Sequence, residues 1–233
     1  SDPTVAVAVR NNLIWSAVTI LVPAVVGLAL AILLNGSTRL KPALRTIFYM
    51  PAVLPLVAVA TVWAWLYTPT DGAINLLLRQ LGLGVLAQSW LGQDSTALAA
   101  MMIPAIWVGA GFPMLVYLAA LQGIPEELYE AARTDGANRL QTFRHITLPG
   151  LTYANLIVFA LSFVNSVKAF DLIYAMTGGG PGRSTQVLGT WMYENAFTFF
   201  KMGYGTAIAV VIAVLALAVG IPYALYQTRK ETR

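Results

Sequence analysis

The chain has 233 residues, of which 58% are apolar and 10% charged, and its mean hydropathy is +0.71. Soluble domains carry about 25% charged residues, so a wholly water-facing protein is excluded and part of the surface must meet lipid. The formal net charge of +4 comes from basic residues too few and too scattered to make a phosphate-binding stripe, which argues against nucleic acid as a partner. There are no cysteines and His145 is the single histidine, so disulfides, thiolate or histidine-rich metal sites and cysteine nucleophiles are excluded together. The opening Ser1-Asp2-Pro3 has neither Met nor a signal-peptide layout and reads as the start of an excised piece of a longer chain.

A bilayer core about 30 Å thick takes roughly 20 apolar residues per helix, and five stretches qualify: 13–34, 47–68, 97–121, 152–176 and 205–226. Of the 14 basic and 10 acidic residues, only Lys168 and Asp171 fall inside them. Cytoplasmic loops retain Lys and Arg. Arg39, Lys41, Arg45, Arg133, Arg139, Arg144, Arg229, Lys230 and Arg233 lie on one side, against Arg10, Arg79, Arg183 and Lys201 on the other. The first group is therefore expected in the cytoplasm, with the N-terminus of the chain outside and the C-terminus inside. Pro23, Pro51, Pro55, Pro104, Pro113 and Pro222 each delete a backbone donor within a span and favour a kink. Trp63, Trp65 and Tyr67, and later Trp191, Tyr193, Phe197, Phe199 and Phe200, stand near outer boundaries and read as an interfacial aromatic belt. Ile74 to Arg79 is too short to span and reads as a helix lying on the outer surface.

Between the third and fourth spans, residues 122–150 form the longest charged connection. Pro125 followed by Glu126 and Glu127 is a helix-start signal, because the missing donor is harmless at the first position and acids suit the positive end of the dipole. Leu128, Ala131 and Ala132 give that helix one small, apolar face, and Gly136 ends it. A second amphipathic turn carries Leu140, Phe143 and Ile146 before Leu148-Pro149 returns the chain to the membrane. Two short helices with small residues at the bend make a knob suited to a groove on a partner.

The residues Glu130-Ala131-Ala132, Gly136, Ile146 and Leu148-Pro149, with three, nine and one residues between them, match at every position the cytoplasmic loop of membrane-spanning permease subunits of binding-protein-dependent ABC importers. The sequence resembles that family along essentially its whole length. The resemblance implies an all-α, polytopic membrane bundle of the type I importer fold, one permease domain over 1–233, with a further N-terminal span expected before this fragment. It implies that 122–150 docks into a cytoplasmic ATPase subunit, with Glu130 and Asp135 as polar positions, Ala131 and Ala132 close-packed and Gly136 a hinge between the two helices. The implied partners are a second, similar permease in a heterodimer, two ATPase subunits and an external solute-binding protein. ATP and Mg belong on the ATPase subunits, with no cofactor, catalytic residue or metal on this chain.

After the fourth span, Thr177-Gly178-Gly179-Gly180-Pro181-Gly182-Arg183 is not a nucleotide loop, because Arg183 stands where a Walker lysine is required. Phe170-Asp171, Ile173-Tyr174, Thr177, Gly179, Gly180, Pro181 and Thr185 resemble the carbohydrate branch of these permeases, specifically the maltose-type larger subunit. In that branch the outer loops meet the sugar-loaded binding protein, so Thr177, Gly179, Gly180, Pro181 and Thr185 are the expected contacts. The sugar stays open among maltose-like, trehalose-like, monosaccharide and glycerol phosphate substrates.

Ionisable groups in membrane helices are costly, about 2.5–3.5 kcal/mol at the bilayer centre on insertion scales, and mark sites. Asn165, Lys168 and Asp171 recur at three-residue spacing and are expected on one helical face, either touching substrate or bracing the helix. Trp107, Gly111 and Met114 on the third span offer an aromatic platform beside small residues. The rival reading is a self-contained channel or ion-coupled carrier, which needs a charged relay through several spans where this sequence has one pair. An intramembrane enzyme lacks a nucleophile and base.

Overall fold

The computed structural model describes residues 2–36 and 40–231, with side chains as far as 223. Arg39, Arg233 and the side chains of Arg229 and Lys230, all counted toward the cytoplasmic charge, lie outside the described residues. The described chain is helical throughout: α1 (Pro3–Leu34), α2 (Lys41–Tyr49), α3 (Leu56–Leu66), α4 (Ala73–Gln80), α5 (Ala97–Gly109), α6 (Gly111–Gln122), α7 (Glu126–Thr134), α8 (Arg139–Thr142), α9 (Leu148–Gly150), α10 (Thr152–Val167), α11 (Asp171–Thr177), α12 (Leu188–Tyr193) and α13 (Met202–Glu231). Short 3-10 turns at Met50–Val53 and Gly84–Leu86 and π turns at Phe143–Thr147 and Glu194–Thr198 join them.

Three of the expected spans are continuous helices: α1, the run through α5 and α6, and α13. Helix α1 begins ahead of the apolar stretch at 13. Asp2 caps it, its Oδ1 accepting from Thr4 N–H at 2.8 Å, and Pro3 occupies the first helical position, where no donor is missed. The other two expected spans are broken. The 47–68 stretch stops at Val53 and resumes at Leu56. Pro51 and Pro55 supply no N–H there, and the Pro55 carbonyl restarts the ladder by accepting from Val59. The 152–176 stretch stops at Val167 and resumes at Asp171. Ser166 turns its hydroxyl onto the Phe163 carbonyl at 2.8 Å, a local bond that competes with the helical ladder. Asn165, Lys168 and Asp171 therefore do not share a helical face.

The chain falls into two compact units. One comprises Ile20–Val53 and Ile106–Ser162. Its core is Ala31, Tyr117, Leu118, Leu121, Leu151, Ala154 and Val158, and the Tyr117 hydroxyl donates to Asn155 Oδ1 at 2.8 Å. Small residues bring backbones together, as expected where lipid supplies no hydrophobic drive. A Cβ on Gly27 would lie 2.7 Å from Met114 N and Pro113 Cβ, and one on Gly111 3.2 Å from the Phe48 carbonyl oxygen. Arg45 of α2 donates to the Leu34 carbonyl at 2.8 Å, and Lys41 donates to the Asn35 carbonyl. Both cations thus satisfy the negative end of α1.

The other unit comprises Ser1–Thr19, Leu54–Ala105 and Phe163–Arg233. Helix α11 packs on α3 and α12 on α13, around a cluster of Ala8, Leu188, Trp191 and Ile208. Two residues read as interfacial aromatics are internal: Tyr67 and Trp191 are 3% and 4% exposed, whereas Trp65 and Phe200 are each 81% exposed. Tyr67 is held inside by donating to the Ala100 carbonyl at 2.9 Å. The surface helix expected around 74–79 is α4, and Asn75 on it organises the whole connection. Its amide donates to the carbonyls of Pro69 and Gln88 at 3.0 and 2.9 Å and its oxygen accepts from Trp90 Nε1 at 2.8 Å. Asn75→Ala leaves these groups unpaired in a buried place, at about 1–3 kcal/mol for each orphan. The expected result is a melting midpoint several degrees lower for the detergent-solubilised protein, read by thermal denaturation.

Candidate functional site

The 122–150 connection is built as the sequence dictates, with stops and starts that the chain itself supplies. Pro125 is the extended residue before α7, and Glu126 and Glu127 fill its first turn. At the far end Gly136 has φ +74. Its N–H donates to Arg133 and the Ala137 N–H to Ala132, at 3.1 and 2.9 Å. These two bonds are the paired closure of a Schellman ending, which needs a left-handed residue and so glycine. Two residues later Asn138 and Gln141 cap α8 reciprocally: Gln141 N–H donates to Asn138 Oδ1 at 2.9 Å and Asn138 N–H to Gln141 Oε1 at 2.8 Å. That capping box went unread at the sequence level, although Asn-x-x-Gln directly after a glycine stop is its signature.

The knob is tied down from behind. Tyr129 and Thr147 share a hydroxyl hydrogen bond at 3.2 Å, which fastens α7 to the π turn. A Cβ on Gly150 would lie 2.6 Å from Ile124 Cδ1, so the two ends of the connection pass in contact. The chain then bends by 64° from α9 into α10. Ala132, Asp135, Gly136 and Ile146 line one concavity of about 370 Å³. Glu130 and Ala131 are exposed on α7, and Leu148 and Pro149 are exposed at the bend. Four of the eight candidate coupling residues thus share one concavity, and Glu130, Ala131, Leu148 and Pro149 are exposed on the helices that flank it.

The glycine loop after α11 does not have the exposure expected of a contact surface. Thr185 is fully buried and Gly179 is buried. The Thr185 hydroxyl donates to the Gly180 carbonyl at 2.6 Å and lies 2.9 Å from the Thr177 hydroxyl. Asn11 of α1 donates to the carbonyls of Ser184 and Gln186 at 2.7 and 2.9 Å, while Gln186 Nε2 donates to Glu194 at 2.7 Å. Thr177, Gly179 and Thr185 are therefore braces, Gly180 and Pro181 are half-buried, and Gly182 and Arg183 point outward. Asn11 was missed in the sequence; its signal was an adjacent amide pair, Asn11-Asn12, at the mouth of an apolar run.

The substrate candidates divide between the two units. Met114 is fully buried and Gly111 is closed against α2, so both pack helices and neither faces open space. Trp107 is 44% exposed. In the other unit Asn165, Lys168 and Asp171 are all exposed. Among the described residues Lys168 and Asp171 form no ion pair, so the self-neutralising brace is not what is observed. No group of three His, Asp or Glu side chains gathers as a metal site among the described residues.

A helical membrane bundle carrying this loop is the architecture of an importer's membrane subunit. The chain belongs to the family of binding-protein-dependent transport system inner membrane components, whose model matches residues 24–232. It is 39% identical over its full length to a probable ABC transporter permease of Pyrococcus horikoshii, covering 80% of that protein. It is 37% identical over 99% of its length to a xylose/arabinose import permease of Haloferax volcanii, covering 72% of it. Among solved structures, it superposes with TM-score 0.86 and 27% identity on a bacterial alginate ABC transporter in complex with an alginate pentasaccharide-bound periplasmic protein, over 98% of this chain and 79% of that one. The all-α, multi-pass expectation is thus met, and the fold is that of the type I importer subunits.

The two key glycines are required for different reasons, which a melting series separates. Around Gly136 the space is open, so Gly136→Ala meets only the left-handed backbone penalty, about 1–2 kcal/mol. A Cβ on Gly179 would fall 1.7 Å from Gln186 Oε1, so Gly179→Ala adds a clash inside a buried network. The expected order of melting midpoints in detergent is wild type, Gly136→Ala, Gly179→Ala.

Proposed function

We propose that this chain is the membrane-spanning subunit of an ATP-driven carbohydrate importer and that the 122–150 knob couples it to the ATPase. The observation that carries the reading is the knob itself: a capped, Schellman-closed helix pair that presents Glu130, Ala131 and the Ala132–Gly136 concavity at the surface. A rigid feature of that kind passes a displacement on to the spans instead of absorbing it. In this reading ATP and Mg are bound by two ATPase subunits, and this chain performs no chemistry. A second, similar permease completes the pathway as a heterodimer, and an external binding protein delivers the sugar. The sugar class is supported by the pentose and alginate importers to which the chain is similar.

The charge asymmetry supports an N-terminal end outside and a C-terminal end in the cytoplasm. Arg45 and Lys41 at the end of α1 and the arginines of the knob then lie on the ATPase side. Substrate contact is assigned to Trp107, Asn165, Lys168 and Asp171, the exposed members of the candidate set. The channel or ion-coupled alternative has no charged relay to run on.

Glu130→Lys reverses the carboxylate of the Glu-Ala-Ala motif at the knob's surface, and Gly136→Asp strains its closing turn. Both are expected to abolish ATP-driven uptake, in proteoliposomes, of the sugar retained by the cognate binding protein, with membrane insertion at wild-type levels. Wild-type uptake in both variants, or purification of an active transporter without any ATPase subunit, overturns the proposal.

A further inference from the structure

The unit that contains the glycine loop also contains an open cavity of about 720 Å³ whose lining includes Asp2, Arg183, Trp191, Phe199, Lys201 and Tyr204. Its single acid is already served. Asp2 Oδ2 accepts from Tyr204 Oη at 2.8 Å and Trp191 Nε1 at 3.1 Å, and Oδ1 accepts from Thr4 N–H. These bonds, the Tyr204 one foremost, hold the carboxyl below its usual range. The two cations are differently placed. Arg183 lies 4.7 Å over the Trp191 ring and donates to Thr4 Oγ1 at 2.9 Å. Lys201 Nζ stands 5.9 Å from the Phe199 ring. Both are exposed, and among the described residues neither has a carboxylate within ion-pair distance. The nearby Glu194 is occupied by Gln186.

The backbone around this cavity is also unusual. Among the described residues only two other than glycine adopt positive φ: Arg183 at 71° and Phe200 at 55°. The first lines the cavity and the second sits between Phe199 and Lys201, which line it. Strained residues persist where their surroundings over-determine them, and they gather at binding sites. Here the surroundings are the buried network of Asn11, Thr177, Thr185 and Gln186 on one side and the π turn at Glu194–Thr198 on the other. Phe199 and Phe200, 42% and 81% exposed, add an apolar rim beside the cations. Exposed aromatics beside an arginine make the typical anchor of a protein interface.

We propose that this cavity receives a carboxylate side chain of the external binding protein, held between Arg183 and Lys201. This rests on the importer reading above and deepens it: the glycine-loop residues brace the contact, and the two cations make it. Charge complementarity selects an acidic partner residue, because the cavity's one carboxylate, Asp2, already accepts three hydrogen bonds, whereas its two cations have no carboxylate within ion-pair distance among the described residues.

The test uses the fully assembled importer in nanodiscs, with ATPase activity titrated against the sugar-loaded cognate binding protein. Arg183→Glu and Lys201→Glu are each expected to raise the KM for the binding protein by about tenfold, since one attraction becomes a repulsion. Raising salt from about 50 to about 500 mM should weaken wild-type docking and leave the double variant little changed. Arg79→Gln, an outer cation away from the cavity, should keep the wild-type KM. Arg183 also braces Thr4 and Trp191; if Arg183→Glu does not assemble, Lys201→Glu decides alone. A wild-type KM in Lys201→Glu at low salt overturns the proposal while leaving the importer reading intact. Lost uptake with an unchanged KM assigns the cavity to an acidic sugar and overturns it too. Absence of any stimulation by the binding protein in the wild-type complex overturns both.

Discussion

Inside hydrocarbon a backbone N–H or C=O has no water to turn to, so every helix end and every break within a span must find its partner in the protein. That constraint explains where this chain places its few polar groups. Helix α1 ends with orphan carbonyls at Leu34 and Asn35, and the cations that meet them are Arg45 and Lys41 of the next helix. Residues that count toward topology as loop charge therefore also work as helix caps. The breaks at 54–55 and 168–170 are closed likewise, by the Pro55 carbonyl in one case and by Ser166 and the Phe170 carbonyl in the other.

The same economy governs the 122–150 knob. Between the last residue of α7 and the first of α8 stand Asp135, Gly136, Ala137 and Asn138, and all four of their N–H groups are bonded, in the helix end, the Schellman closure and the capping box. Behind it, the Tyr129 to Thr147 bond and the Gly150 to Ile124 contact join the knob to the ends of α6 and α10, which share the core of Leu121, Leu151 and Val158. Helix α7 is thus tied to that core through these contacts, and two departures from regular helix lie along the way. One is the wide turn closed by Leu148 N–H onto the Phe143 carbonyl. The other is the 64° bend that follows. π turns of this kind occur inside α-helices, frequently at functional sites.

Much of this was legible before any coordinates. The spans showed as apolar runs because lipid leaves no alternative, and the knob showed because its stops and starts are local: Pro125, two acids, Gly136, Leu148-Pro149. Part of what did not show depends on residues far apart in sequence, and part on local bonds that have weak signals. The break after Val167 gives no strong local signal, since Ser166-Val167-Lys168-Ala169 reads as acceptable helix, and the shared face inferred for Asn165, Lys168 and Asp171 fell with it. Tyr67 and Trp191 looked interfacial because an aromatic near a span end usually is. The Ala100 carbonyl and the Asp2 carboxylate that draw them inward stand 33 and 189 residues away. Met114 and Gly111 looked like pocket residues and are packing residues, because small and flexible side chains serve both purposes and only the neighbour decides.

The glycine loop shows why a motif and a contact surface need not coincide. A turn that must present a strained arginine cannot be held by that arginine; it must be held by groups beneath it that are too well bonded to move. Thr177, Gly179, Thr185 and Gln186 meet that requirement, since each is engaged with a partner within the same unit and Thr185 has no exposed surface at all. Their identities are fixed by internal geometry, independent of what binds outside. Arg183 and Lys201 stand outside that network: each is exposed and lies over a neighbouring ring, and Arg183 is further held by its bond to Thr4. The recognisable pattern in such a sequence therefore marks the frame that holds the exposed Arg183 in place.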